Sequence, residues 1–318
     1  MISDYSIVIT IYNDEKEIVE LLNNIKEQTV QPKEIIIVDG GSSDKSIEYV
    51  ENYSANIKLI RGGRLNISEG LNRGIRECIS EYVGIAMTGN RYKRDFFEIL
   101  LNVMKTSDCG IAYGPICGNS AGKFSDWYNK YLLNGDEGKD FGIASNHGCL
   151  LKREVFNEIG FFYEKFVYAG EDAEFYARAL KNGIKCKFVE QAKLYWDTPN
   201  SLKAYLKQKK VYTIADMQIC REEFLKKHFL SSVIVFATCA LSVFLGGIKW
   251  YLFFLPLPIF FILTIIMYNV LKGYSIVQIF LYLGETFLPV IYMLVNVKYL
   301  RNQYQVEDTN TRKRNEKD

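Results

Sequence analysis

The chain has 318 residues, 48% of them hydrophobic, enough for one large or two small domains and for a real core in its first two-thirds. With 39 Lys and Arg against 37 Asp and Glu, its formal net charge is +2, and no basic stripe interleaved with aromatics argues for nucleic acid as a partner. Seven cysteines stand without any close pair of the kind that builds zinc or redox sites, which reads as reduced thiols in a reducing compartment.

The first run, residues 5–11, is short and β-branched like a buried strand, and no charged segment, apolar stretch and cleavage site precede it. The polar part of the chain is therefore expected to stay in the cytoplasm. A polar turn at Tyr12-Asn13-Asp14 follows, then a helix in which Ile18, Leu21, Leu22 and Ile25 recur at the helical period, with Asp14 as its cap. Residues 34–38 read as a strand buried on both faces, ending in Asp39-Gly40-Gly41-Ser42-Ser43-Asp44. Strands near 57–60 and 82–87 alternate with helices near 68–78 and 94–105. This alternation predicts an open, mostly parallel sheet covered by helices on both faces. Ligands of such sheets bind beyond the carboxyl ends of the strands, which gathers residues 12–15, 39–44 and 88–91 around one crevice.

Residues 109–151, with their Gly and Asn punctuation, suggest strands and loops that complete the sheet. A helix at 172–181 and a strand at 184–189 follow. Residues 201–228 are Lys-rich and carry Leu202, Tyr205, Leu206, Val211 and Tyr212, as an amphipathic segment on a membrane surface would; an ordinary solvated helix is the alternative. Composition then shifts to long apolar runs at 229–246, 250–271 and 276–297, each near the length that spans a bilayer. Lys and Arg crowd both flanks of this block, which favours an even number of crossings. Either the third run, with Glu285 and Pro289 inside it, is re-entrant or interfacial, or the polar and disordered tail at 298–318 lies outside.

Asp39 ends an apolar strand, where a carboxylate can accept hydrogen bonds from a base or sugar, and two glycines let the backbone approach a ligand. A tight turn with Ser43 or Asp44 capping the next helix accounts for the Gly and Ser residues but not for the Asp. Ile7-Val8-Ile9-Thr10-Ile11-Tyr12-Asn13-Asp14-Glu15, together with Val38-Asp39-Gly40-Gly41-Ser42-Ser43-Asp44-Lys45-Ser46, resembles the opening of the family-2 glycosyltransferases, over residues 1 to about 215. The resemblance implies the α/β GT-A nucleotide-diphospho-sugar transferase fold over residues 1–200; the Lys-rich stretch and the apolar runs add interfacial helices at 201–228 and a C-terminal transmembrane helical region of two to three segments at 229–297. It assigns Thr10, Tyr12, Glu15 and Asp39 to the donor nucleotide. Gly63-Arg64 and Glu69-Gly70-Leu71-Asn72-Arg73-Gly74-Ile75 resemble the next block, selecting Arg64 and Asn72 for the same pocket.

The family's hallmark is a pair of aspartates, one residue apart, that hold magnesium or manganese against the donor diphosphate. The matching stretch here is Ala86-Met87-Thr88-Gly89-Asn90-Arg91-Tyr92. Thr88 and Asn90 can offer an oxygen but no charge, so a divalent metal, with Asn90 as a weak ligand, is in doubt. Arg91 is placed to face the diphosphate in its stead; a simple turn is the bland reading. Further on, Glu171-Asp172-Ala173-Glu174-Phe175 and Arg178 resemble the family's acceptor-side acidic motif. Asp172 is the candidate base for the acceptor hydroxyl, with Glu171 shaping the site, although paired acids at a helix start are commonly caps. His147 lies in the segment joining the two sites, and Gln208 in a stretch resembling the interfacial segment of polymer-building members.

These features imply an inverting transfer from a nucleotide-sugar donor to a lipid-linked or glycan acceptor at the cell membrane, in surface polysaccharide or glycolipid synthesis. A non-catalytic nucleotide-binding or scaffold subunit is the rival. A nucleotidyltransferase is weaker, because that chemistry also requires acidic metal ligands.

Overall fold

The computed structural model describes residues 4–53, 56–119, 122–166 and 169–219, with scattered residues between 233 and 289. The chain divides into two units, Met1–Leu202 with Gln305–Asp318, and Lys203–Tyr304. The larger unit begins with regular alternation: β1 (Tyr5–Ile11), α1 (Ile18–Lys26), β2 (Glu34–Asp39), α2 (Ser46–Glu51), β3 (Ile57–Arg61), α3 (Ile67–Glu77) and β4 (Tyr82–Ala86). It continues less regularly with β5 (Asn90–Tyr92), α4 (Phe96–Thr106), β6 (Ile111–Tyr113), β7 (Ile116–Asn119), α5 (Lys123–Leu132), β8 (Gly148–Lys152), α6 (Glu154–Ile159), α7 (Glu171–Lys181), β9 (Cys186–Phe188) and β10 (Leu194–Asp197).

A seven-stranded sheet runs in the order β3-β2-β1-β4-β8-β6-β9, and β5-β10-β7 make a second sheet of three strands. Strands β3, β2, β1 and β4 are mutually parallel, whereas β8 is antiparallel to both β4 and β6. That reversal positions the site. Because Ala86 pairs with Gly148, the residues leading into β8 arrive at the same sheet edge as the carboxyl ends of β1, β2 and β4.

Side-chain alternation in the central strands explains why both faces are covered. Ile7, Ile9, Ile35 and Ile37 point to one face, where they pack with Ile18, Leu21 and Leu22 of α1 and Phe96, Phe97 and Leu100 of α4. Val8, Ile36 and Val38 point to the other, against Leu71 and Ile75 of α3 and Phe156, Phe175 and Tyr176 of α6 and α7. Each fully buried Ile, Leu or Phe contributes about 1.5–3 kcal/mol. Helix α3 opens with a reciprocal cap: Asn66 accepts from the Glu69 amide at 2.9 Å, and Glu69 from the Asn66 amide at 2.8 Å.

Several expectations change. Asp14 does not cap α1 with its side chain, which instead accepts from the Tyr12 amide at 2.9 Å; its backbone carbonyl receives the Glu17 and Ile18 amides. Residues 109–151 contain a ten-residue helix, α5, where strands and loops were expected. Its buried face is built from Ser125, Tyr128 and Asn129, so no aliphatic periodicity announces it. Cys78, Cys109, Cys117, Cys149 and Cys186 are free thiols.

In the second unit, helix α8 (Leu202–Ile219) occupies part of the stretch expected at 201–228. Tyr205, Ile214 and Ala215 are buried, while Leu202 and Tyr212 are exposed; the apolar residues of α8 do not gather into one stripe. No helix among the described residues is long and apolar enough to cross a membrane. The apolar runs at 229–297 and the tail at 298–318 lie almost entirely outside the described residues.

Candidate active site

Beyond the carboxyl ends of β1, β2 and β4 lies a cleft of about 220 Å³. It is walled by Thr10 near the end of β1, Tyr12 and Asp14 after it, Leu65 and Asn66 before α3, and Met87 and Thr88 after β4. Its closeness to the core comes from two glycines of α3. A Cβ on Gly70 would stand 2.7 Å from Thr10 Cγ2, and one on Gly74 2.5 Å from Val8 Cγ1. Only glycine lets α3 lie this near β1.

The two loops on one side of the cleft are laced together by polar contacts. Asn13, in the left-handed region with φ of 57°, accepts from the Ser43 amide at 2.8 Å, and its own amide donates to Ser42 Oγ at 2.9 Å. The Glu15 amide donates to Asp44 Oδ2 at 3.1 Å, and Glu15 Oε2 accepts from the Lys45 amide at 3.2 Å. Asp39 is buried, and its carboxylate accepts from the amides of Gly41 and Ser42, each at 3.0 Å. A turn therefore does account for this carboxylate. It shapes the Gly40 backbone, which lines the cleft.

Thr88 lines the cleft beside Asp14, whose carboxyl is pushed up by burial, while the Tyr12 amide and Thr88 act the other way and the Asp44 charge adds to the rise. Asn90 is buried. Its Nδ2 donates to the His147 carbonyl at 3.1 Å, and its Oδ1 lies 3.1 Å from His147 Nδ1. A carbonyl only accepts, so Nδ2 must face it; Oδ1 then faces Nδ1, which must carry the proton. The His147 ring, 4.8 Å from that of Trp196, is held below its usual pKa by burial, against the opposing charge of Asp172.

The acids of α7 complete the edge. Asp172 Oδ1 accepts from the Ala173 amide at 2.7 Å, and Oδ2 from Ser145 Oγ at 3.3 Å; Ser145 Oγ in turn accepts from the His147 amide at 3.2 Å. Glu171 is buried and accepts from Asn146 at 3.3 Å. Burial, with the Asp172 charge beside it, pushes its carboxyl to about 7. A chain of hydrogen bonds continues from Asn146 through Tyr176 to Cys149. From Asp39 to the residues before β8 the sheet is three strand spacings wide, roughly 14 Å.

The comparisons with known proteins agree with this architecture. A family model described as glycosyl transferase family 2 matches residues 6–160, and one described as glycosyl transferase family group 2 matches residues 94–297, more than half of the chain. The chain belongs to glycosyl transferase family group 2. This family member is 24% identical over 218 residues to the uncharacterized glycosyltransferase EpsJ of Bacillus subtilis strain 168, covering 64% of this chain and 63% of that protein. It is 28% identical over 209 residues to a cholesterol galactosyltransferase of Borreliella burgdorferi, covering 58% and 57%. The chain thus spans less than two-thirds of the length of these relatives. Among solved structures, it resembles the mannosyltransferase PcManGT from Pyrobaculum calidifontis, in complex with GDP-Man and Mn2+, with a TM-score of 0.53, 19% identity and coverage of 69% and 64%. Residues 1–349 of TarS from S. aureus, in complex with UDP, give a TM-score of 0.51, 18% identity and coverage of 96% and 94%. The GT-A fold, with its mixed and mostly parallel sheet, is shared with them.

Of the residues singled out in the sequence, Thr10, Tyr12 and Thr88 wall the cleft. Arg64 is exposed on the loop that carries the lining residues Leu65 and Asn66. Others stand elsewhere. Asn72 is buried and spends its amide on the Phe162 backbone, at 2.8 and 2.9 Å, and on Glu164 at 2.8 Å; it anchors the loop before α7. Arg91 faces away from the cleft, because alternation along β5 buries Asn90 and exposes Arg91, whose guanidinium meets Glu20 at 3.0 Å. Glu15 and Asp39 bind backbone amides. The sequence reading missed Asp14 as a cleft residue, along with Ser145 and Asn146. A carboxylate in the first loop, within the matched motif, was the available signal for Asp14.

The metal that the family resemblance implies does not fit the residues at its place. Thr88 brings a neutral hydroxyl without charge, and Asn90 Oδ1 accepts the His147 ring proton, so Asn90 is a poor metal ligand. Among the described residues no group of three or more His, Cys, Asp and Glu side chains is arranged to hold a metal ion.

Proposed function

We propose that the chain transfers a sugar from a nucleoside diphosphate donor to an acceptor hydroxyl, with inversion at the anomeric carbon. The observation that carries this reading is the accessible carboxylate of Asp172, fixed by Ser145 and the Ala173 amide on the sheet edge that bears the donor cleft. Donors of this class are supported by the GDP-Man and UDP complexes of proteins sharing the fold. In the reaction the acceptor oxygen bonds to the anomeric carbon as the bond from that carbon to the phosphate oxygen breaks. The nucleoside diphosphate leaves with the bonding pair, and the acceptor proton passes to Asp172. Glu171, poised to hold its proton near neutrality, keeps a second full charge from standing beside the base.

We assign the apolar runs at 229–297 to the membrane and the catalytic unit to its cytoplasmic side. A lipid-linked or glycan acceptor follows from that placement, because confinement to a surface raises the encounter rate. A family model that extends to residue 297 supports including the apolar region in the enzyme. Surface polysaccharide or glycolipid synthesis is the role that suits such an acceptor.

Nucleoside diphosphate release, measured with a panel of nucleotide sugars and lipid-linked acceptors, tests the reaction. Asp172→Asn should lower turnover by about 10²–10⁴-fold while the melting temperature stays within the spread of repeat measurements. Wild-type turnover in that variant sinks the assignment of the base. Thr88 and Asn90 favour a second reading, a non-catalytic nucleotide-binding subunit, and tight nucleotide binding without turnover in any donor and acceptor combination would establish it.

A further inference from the structure

The family resemblance implies two acids after β4 that would hold a divalent metal. Here both positions are occupied by neutral side chains. Thr88 lines the cleft beside Asp14. Asn90 reaches forward to both the carbonyl and the ring of His147, on the segment leading into β8. His147 continues through Ser145 to Asp172. Direct hydrogen bonds thus join the donor half of the edge to the acceptor half.

We propose that the Asn90–His147 clasp takes the place of the divalent cation of the site, so that this chain binds its donor nucleotide without a metal. The proposal rests on the donor-binding reading above and concerns how that site is held together. Three features of the geometry bear on it. Asn90 is buried, and both ends of its amide are engaged, so recruiting Oδ1 to a cation competes with the His147 ring proton. Asp14 lines the cleft with Thr88, but its Oδ2 already accepts from the Tyr12 amide at 2.9 Å. Finally, an amide and a hydroxyl bring no charge to offset the desolvation of a divalent ion.

The sequence holds two histidines, so the full chain labelled with ¹⁵N-histidine gives a simple spectrum in which His147→Gln identifies the His147 signals. In the unliganded wild type, His147 should show the neutral ring protonated at Nδ1. Adding UDP or GDP with manganese should leave those signals as sharp as with magnesium, because no paramagnetic ion comes to rest beside the ring. Nucleotide affinity measured by calorimetry should be the same in manganese and in chelator to within about twofold. Selective broadening of His147 by manganese, or about a tenfold gain in affinity with the metal, would falsify the proposal. Asn90→Ala should turn the His147 signals into a mixture of tautomers; an unchanged spectrum also overturns the clasp, and the wild-type measurements stand even if that variant fails to fold. Nucleotide binding that is indifferent to manganese, in a chain that never transfers sugar, supports this inference while sinking the proposed reaction. No nucleotide bound under any condition sinks both.

Discussion

Asp39 shows how one carboxylate serves a site from beneath its surface. Its two amide partners form the turn that presents Gly40 to the cleft, so Asp39→Ala leaves two donors unpaired and should cost about 1–3 kcal/mol. Thermal melting and nucleotide titration should both register that loss, whereas Asp39→Asn, retaining one acceptor oxygen, should keep more of each. Glu171 makes a prediction with a definite sign. Its carboxyl stands at about 7 in the fold against an ordinary 4.5, so the folded chain binds the extra proton between those values. The stability that this proton confers is present below 4.5 and is lost as the pH rises through about 7. Glu171→Gln should therefore melt higher than wild type above pH 7, with the difference shrinking toward pH 4.5; a difference independent of pH would contradict the burial argument. Arg64, exposed beside the cleft loop, should weaken nucleotide binding by about tenfold as Arg64→Gln, with Arg64→Lys intermediate. At this scale the sequence was only partly legible. The motif after β1 pointed to the right loop, but whether a side chain faces ligand or backbone depends on the turn geometry, and that is why Asp14 emerged in the cleft while Asn72 withdrew to Phe162.

Helix α3 and helix α7 each carry a device that fixes their distance from the sheet. In α3, Gly74→Ala would place a methyl 2.5 Å from Val8 Cγ1, an overpacking that costs roughly 1–3 kcal/mol and outweighs the gain of about 1 kcal/mol in helix propensity. The melting temperature should fall, and Val8→Ala in the same chain should restore part of it; full stability in the single variant would show that α3 can move. In α7, Glu174 and Arg178 form a buried pair at 2.7 Å, and Arg178 also donates to the Ile159 and Phe161 carbonyls. Arg178→Ala leaves Glu174 buried without its charge partner and should destabilise by about 3–5 kcal/mol, more than Asp172→Asn in the same melting assay. The first strands and helices were legible because Ile, Val and Leu mark both faces of β1 and β2 and the inner faces of α1 and α3. Helix α5 was not, since Ser125 and Asn129 occupy its buried side and carry no apolar signal.

Across the larger unit, one antiparallel strand decides what the sheet edge can do. Without the reversal at β8, Ser145, Asn146 and His147 would enter from the opposite end of the sheet, far from Thr88. Parallel order could be inferred from the early alternation, but this reversal could not, because residues 109–151 carry no periodic pattern that states a strand's direction. The GT-A fold was therefore legible mainly through the motifs of β1 and β2, and the acceptor half of the edge was placed by resemblance. The close seating of α3 has a further consequence. Because its glycines press the helix against Thr10 and Val8, the floor of the cleft is also the wall of the core, and no substitution there can reshape the one without disturbing the other. Only the rim is negotiable: any drift toward a different ligand has to be written in the loops around Tyr12, Arg64 and Met87, where a change of side chain leaves the foundations alone.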